Sequence, residues 1–220
     1  DLLASLDGNF GGKVGDENVK AYNEFYESTF QLMKSTDLKA FDLAAEPEAT
    51  RARYGNSKFG QGCLLARRLV ENGVRFVEVS FGGWDMHASL EERMKDLGGD
   101  FDRVFAALIQ DLDSKGMLDS TLVAVTTEFG RKPEMSGNGR GHHPLVFSTV
   151  LAGGGIKQGI AYGSSDAKGY APDENPVTVG NLHATIAHAA GLPVETEIMT
   201  PAGRPFMIGN KAKMVPGLFA

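Results

Sequence analysis

The chain has 220 residues, 42% of them hydrophobic and 23% charged, with a formal net charge of -6. That length supports one sizeable core. An acidic chain without a clustered Lys/Arg face excludes a nucleic-acid scaffold, no apolar run reaches the roughly 20 residues of a membrane span, and a single cysteine, Cys63, excludes an internal disulfide framework or a cysteine-built zinc cage.

The chain opens at Asp1 without methionine or signal segment, so processing or truncation is expected to have removed whatever preceded it. The segment ENVKAYNEFYESTFQLMKS sets Val19, Tyr22, Phe25, Tyr26, Phe30 and Met33 at helical spacing. A polar connection through DLAAEPEATRARYG follows, so residues 1–55 read as a peripheral helical segment and linker within one domain spanning 1–220. FGQGCLLARRLVENG aligns Phe59, Cys63, Ala66, Leu69 and Val70 on one helical face, ends in the C-cap signal Gly73, and feeds an expected strand, VRFVEVS.

A long amphipathic helix is predicted next, from Leu90, Met94, Leu97, Phe101, Val104, Phe105, Leu108 and Leu112, despite Gly98 and Gly99 in its middle. The apolar run TLVAVTT suits a strand buried on both faces, with the helix as crossover in a parallel β-α-β unit. A polar glycine-rich loop, EFGRKPEMSGNGRGHHP, leads to a third strand, LVFSTVLAG, then a β-like GIAYG and a helix in TVGNLHATIAHAAGL. The expected fold class is α/β, a three-layer sandwich on a largely parallel sheet.

Ligands of open α/β sheets gather at the carboxyl ends of strands, and two expected strands end in acidic or imidazole side chains. Asp85 and His87, two apart after the first, project to one side in extended backbone. Glu128 follows the second, with Arg131 close behind, and the loop before the third supplies Arg140, His142 and His143. Two carboxylates with imidazoles suit zinc or manganese better than calcium. Tandem histidines point in different directions, so at most one of His142 and His143 is a direct ligand, and the spacing does not choose between them.

His183 and His188, about 140° apart on their helix, do not make a two-ligand site, and core or capping roles suit them better. The glycines of LAGGGIKQG do not open into a helix, which favours a conformational role over a phosphate cradle. Cys63 with Arg67 only faintly matches the cysteine motif that sulfatases convert to an aldehyde, since Leu65 stands where proline or alanine belongs, and a buried thiol is expected.

Taken together, ARRLVENGVRFVEVSFGGWDMH, TTEFGR, GRGHHP, VLAGGGIKQGIAYGSSD and LHATIAHAAGL resemble the bacterial family called domain of unknown function 1501, over nearly the whole chain and in order. That resemblance implies the sulfatase and alkaline-phosphatase-like superfamily, with GGGIKQG similar to a glycine loop of sulfatases. It implies Asp85 and His87 as ligands of one metal, Glu128 at the acidic position after the next core strand, and His142 or His143 as the late histidine ligand. The chain departs from the superfamily in spacing the first pair Asp-x-His instead of Asp-x-x-x-His, and in carrying Glu128-Phe129 where Asp-His is usual.

The same resemblance implies a chain incomplete at its N-terminus, where an early aspartate and a nucleophile would lie. It further implies hydrolysis of a small-molecule or glycan phosphate or sulfate ester, with Arg131 or Arg140 on the substrate oxyanion, and a periplasmic or otherwise exported location. A binding protein of the same fold without a nucleophile is the alternative.

Overall fold

Tyr54, Cys63, Leu64, Val104 and Ala107 bury one another, with Leu43, Phe59, Val79 and Leu108 packed around them. In this computed structural model, which describes residues 17–220, that cluster is built by α2 (Glu48–Tyr54), α3 (Lys58–Glu71) and α4 (Leu90–Ser114). The part of the expected peripheral segment at 1–16 lies outside the described residues. Ahead of the core, α1 (Glu17–Lys34) forms where its spacing puts it, yet Tyr22, Phe25, Tyr26, Phe30 and Met33 are all exposed.

The Ser57 hydroxyl caps α3 by accepting from Gly60 N at 3.0 Å. The buried stripe of α3 runs through Gly60, Cys63, Leu64 and Arg67, so it departs from the predicted face through Ala66, Leu69 and Val70. Arg67 belongs in the interior because acids surround it: its guanidinium meets Glu46 and Glu71 at 2.5 Å and Asp111 at 2.8 Å, with its own side chain fully buried. Tyr54 donates to Asp111 at 3.1 Å, so the charged hub is tied to the apolar cluster. Burial pushes the Cys63 thiol up to about 12, the signature of an inert interior cysteine.

The expected three-layer sandwich on a largely parallel sheet is overturned. The described strands form antiparallel pairs only: β1 (Val123–Val125) with β4 (Val150–Ala152), β2 (Gly130–Arg131) with β3 (His142–His143), and β5 (Ile198–Met199) with β6 (Pro205–Phe206). Residues 74–80 pair with no strand among the described residues, so α4 crosses over between no parallel partners. An alternating apolar sequence becomes a strand only where a neighbour satisfies its N–H and C=O groups.

The chain from β1 instead doubles back through the β2–β3 hairpin, which brings β4 alongside in antiparallel register, Val123 opposite Ala152. The expected third strand at 145–153 is confined to its last turn-proximal residues, and GIAYG forms no strand. The following turn needs its glycines: Gly153 has φ 73°, and a Cβ there would sit 2.3 Å from the Leu118 and Thr121 carbonyls. Near the end of the described chain, α5 (Val179–Ala189) is opened by a Thr178–Asn181 capping box. His183 and His188 are both exposed on it, and His188 meets the Phe219 ring edge at 5.2 Å.

An aromatic ladder delivers the chain to the site. Phe59 of α3 stacks on Phe81 at 4.1 Å, Phe81 meets Trp84 edge-on at 5.5 Å, and Trp84 in turn abuts Phe101 of α4 at 6.1 Å. Residues 81–84, although outside any strand, are thereby fixed against two helices immediately before Asp85.

Candidate metal centre

Met86 is buried, and its inward turn leaves the neighbouring Asp85 and His87 outside, where His87 Nδ1 lies 3.0 Å from Asp85 Oδ1. The turn at 136–139 clamps this loop from the side. Leu90 N donates to the Asn138 carbonyl, and Arg140 N donates to the Met86 carbonyl, both at 3.0 Å. Gly139 is required there, because a Cβ would stand 2.0 Å from the His87 carbonyl carbon.

The β2–β3 hairpin brings the remaining groups. Arg131 is directly opposite His142 and Gly130 opposite His143, so the tandem histidines alternate across the hairpin. His142 Nε2 reaches Asp85 Oδ1 at 3.0 Å. His143 turns the other way into a buried position, with Nε2 3.2 Å from the Gly169 carbonyl and its ring edge-on to Tyr170 at 6.1 Å. The loop expected from residue 128 to 144 therefore contains the strand pair that orients the site.

Asp85, His87 and His142 place one oxygen and two imidazole nitrogens within 4.8 Å of one another, all exposed. Ligands of a tetrahedral zinc at ~2.0–2.1 Å lie about 3.3 Å apart, so small side-chain rotations bring these donors into range and leave a coordination position open. Two imidazoles and one carboxylate make a donor set for a divalent metal ion.

The hydrogen bond with His142 holds the Asp85 carboxyl below its usual range, and the neighbouring His87 and Arg131 lower it further. A carboxylate already ionised is ready to ligate a cation.

Glu128 does not join the three donors. Its Oε1 accepts from Arg131 Nη2 at 3.0 Å and its Oε2 from the Thr127 hydroxyl at 2.5 Å, and the latter bond is the main cause of its lowered pKa. Arg131 bridges it to the cluster through Nη1, 2.6 Å from Asp85 Oδ1. Arg140 is anchored by its backbone beside Met86, and its buried Nε has no hydrogen-bond partner among the described residues.

Sequence reasoning passed over Phe129, whose ring lies 4.5 Å from His142 and 5.2 Å beneath the Arg131 guanidinium, bracing both. The signal was an aromatic residue between Glu128 and Arg131. Gly139, Met86 and Thr127 were also missed as supports, since a small residue or a buried methionine in a polar loop shows its purpose only once the loops touch.

A family model described as Protein of unknown function (DUF1501) matches residues 1–219, and the chain belongs to that family. No curated protein and no solved structure matches the chain.

Proposed function

We propose that this DUF1501 protein holds a divalent cation, zinc or manganese in preference to calcium, between Asp85, His87 and His142, as part of the site of a phosphate or sulfate ester hydrolase. The observation that carries the reading is the convergence of the three donors from the loop after Trp84 and from the β2–β3 hairpin, within 4.8 Å. The site was expected at the edge of a parallel sheet; a hairpin assembles the cluster instead, and the chemistry of the donors does not depend on which scaffold carries them.

A bound divalent cation supplies charge that polarises a phosphoryl or sulfuryl oxygen. Around it, Asp85 anchors both imidazoles, and Arg131, which reaches Asp85, offers guanidinium donors that suit the oxygens of an anionic ester. The choice of esters rests on the likeness of GGGIKQG to a glycine loop of sulfatases, a superfamily placement that belongs to this proposal. No described helix is long and apolar enough to cross a membrane.

The test joins metal content to turnover. Elemental analysis of the purified full-length protein and of its Asp85→Ala and His87→Ala variants is expected to show zinc or manganese that the variants lack, with hydrolysis of an aryl phosphate or aryl sulfate lost in parallel. A folded protein that binds neither metal sinks the reading. Metal binding without turnover of either ester replaces it with a cation-dependent binding protein.

A further inference from the structure

Asp85 Oδ1 serves three partners at once. Arg131 Nη1 lies 2.6 Å away, and His87 Nδ1 and His142 Nε2 both lie 3.0 Å away. The two imidazoles are the other prospective ligands, so the guanidinium is the odd member: it uses the ligand oxygen without being able to ligate. A divalent cation at this oxygen lies within a few ångströms of a positive charge, and the two repel while competing for one carboxylate. Arg131 also has somewhere to go. Its Nη2 is held by Glu128 Oε1 at 3.0 Å and its plane lies over the Phe129 ring at 5.2 Å, neither of which involves Asp85.

We propose, on the basis of the metal-binding reading above, that Arg131 is a built-in competitor that sets the cation affinity of the Asp85, His87 and His142 cluster and is released from Asp85 when a cation binds. Once released, it stays tethered to Glu128 and Phe129 beside the cation, and its free Nη1 donates to an anionic ligand there. Cation and anion binding are then coupled, because each favours the arrangement in which Arg131 has left Asp85. Arg131 is thus a positioning residue for the cation and a direct contact for the anion.

The experiment titrates Mn2+ into the whole protein and into Arg131→Gln, Arg131→Lys and Asp85→Ala variants, with calorimetric readout. Losing a competing exposed ion pair should tighten Mn2+ binding about three- to fivefold in Arg131→Gln, with Arg131→Lys between it and the parent. In the parent protein, modification of Arg131 by an arginine-selective dicarbonyl, mapped by mass spectrometry, should rise on saturation with Mn2+. This second measurement needs no variant to fold.

Unchanged or weaker Mn2+ binding in Arg131→Gln, with binding abolished in Asp85→Ala, overturns the role of Arg131 and leaves the metal centre standing. Reactivity of Arg131 that does not change with Mn2+ does the same. Absence of Mn2+ binding in both the parent and Arg131→Gln removes the metal centre and this proposal together.

Discussion

Arg131 and His142 face each other across the β2–β3 pair and end on the same oxygen, Asp85 Oδ1, at 2.6 and 3.0 Å. One residue along, the register puts His143 opposite Gly130 and turns it to the buried face. The two histidines therefore part company in experiment. His142→Ala is expected to weaken Mn2+ or Zn2+ binding at least tenfold while changing stability by less than ~0.5 kcal/mol, as befits an exposed side chain. His143→Ala, which gives up the contact with the Gly169 carbonyl in a buried setting, is expected to cost about 1–2 kcal/mol and to keep metal affinity. Urea melts and calorimetric titration check both, and equal loss of metal from the two variants contradicts the assignment.

Gly139 gives a test of the clamp. Alanine at 139 puts a Cβ 2.0 Å from the His87 carbonyl carbon and 2.5 Å from Ala88 N, both backbone atoms that cannot swing aside. The loop must shift, costing about 1–3 kcal/mol, and Asp85 and His87 shift with it. Gly139→Ala should thus lose metal affinity although no ligand is changed. A variant with the parent's melting curve and metal affinity would show that the 136–139 turn does not fix the site.

Much of the candidate site was legible because side-chain chemistry survives errors in scaffold. Asp85 and His87 project together whether residues 74–80 form a ladder or not, since burial of Met86 is enough to turn its two neighbours outward. The sheet was illegible for a complementary reason: VRFVEVS reads as a strand, but a strand is completed by another segment, and the alternating sequence does not say whether one is present.

Helices fared better where local spacing decides, as in Leu90–Ser114, which runs unbroken through Gly98 and Gly99. The burial of Arg67 escaped notice because it depends on Glu46, Glu71 and Asp111 arriving from separate parts of the chain. Choosing between His142 and His143 likewise required the hairpin register.

The paired glycines in α4 carry a stability prediction. Gly99 is exposed, a Cβ there meets nothing within 4 Å, and its neighbours continue the helix on both sides. Alanine costs the folded state nothing there and restricts the unfolded chain, so Gly99→Ala should raise stability by about 0.5–1 kcal/mol. Chemical denaturation measures it. A destabilised variant would mean that the helix at 99 depends on space the glycine leaves for something else.

The buried hub makes a prediction with a pH sign. Glu46 is pulled two ways: burial raises its pKa, but hydrogen bonds and charge from Arg67 and Arg68 outweigh that and hold it below its ordinary value of 4.5. Glu71 is lowered in the same way, burial being outweighed by Lys115 and Arg67. A carboxyl depressed in the folded state takes up its proton first in the unfolded chain, so its stabilisation is fully present above the ordinary value and is lost as pH falls through the folded one.

Stability should accordingly be level near neutrality and fall steeply below about pH 4.5. Glu46→Gln removes one of these carboxylates and leaves Arg67 short of a charged partner, costing about 2 kcal/mol at pH 7. Because the variant has less left to titrate, its decline in acid is shallower, and the gap between the two proteins should close as pH drops toward 3. Urea unfolding at a series of pH values tests this, and a gap of constant size from neutral to acid pH would show that Glu46 does not stabilise the fold through its charge.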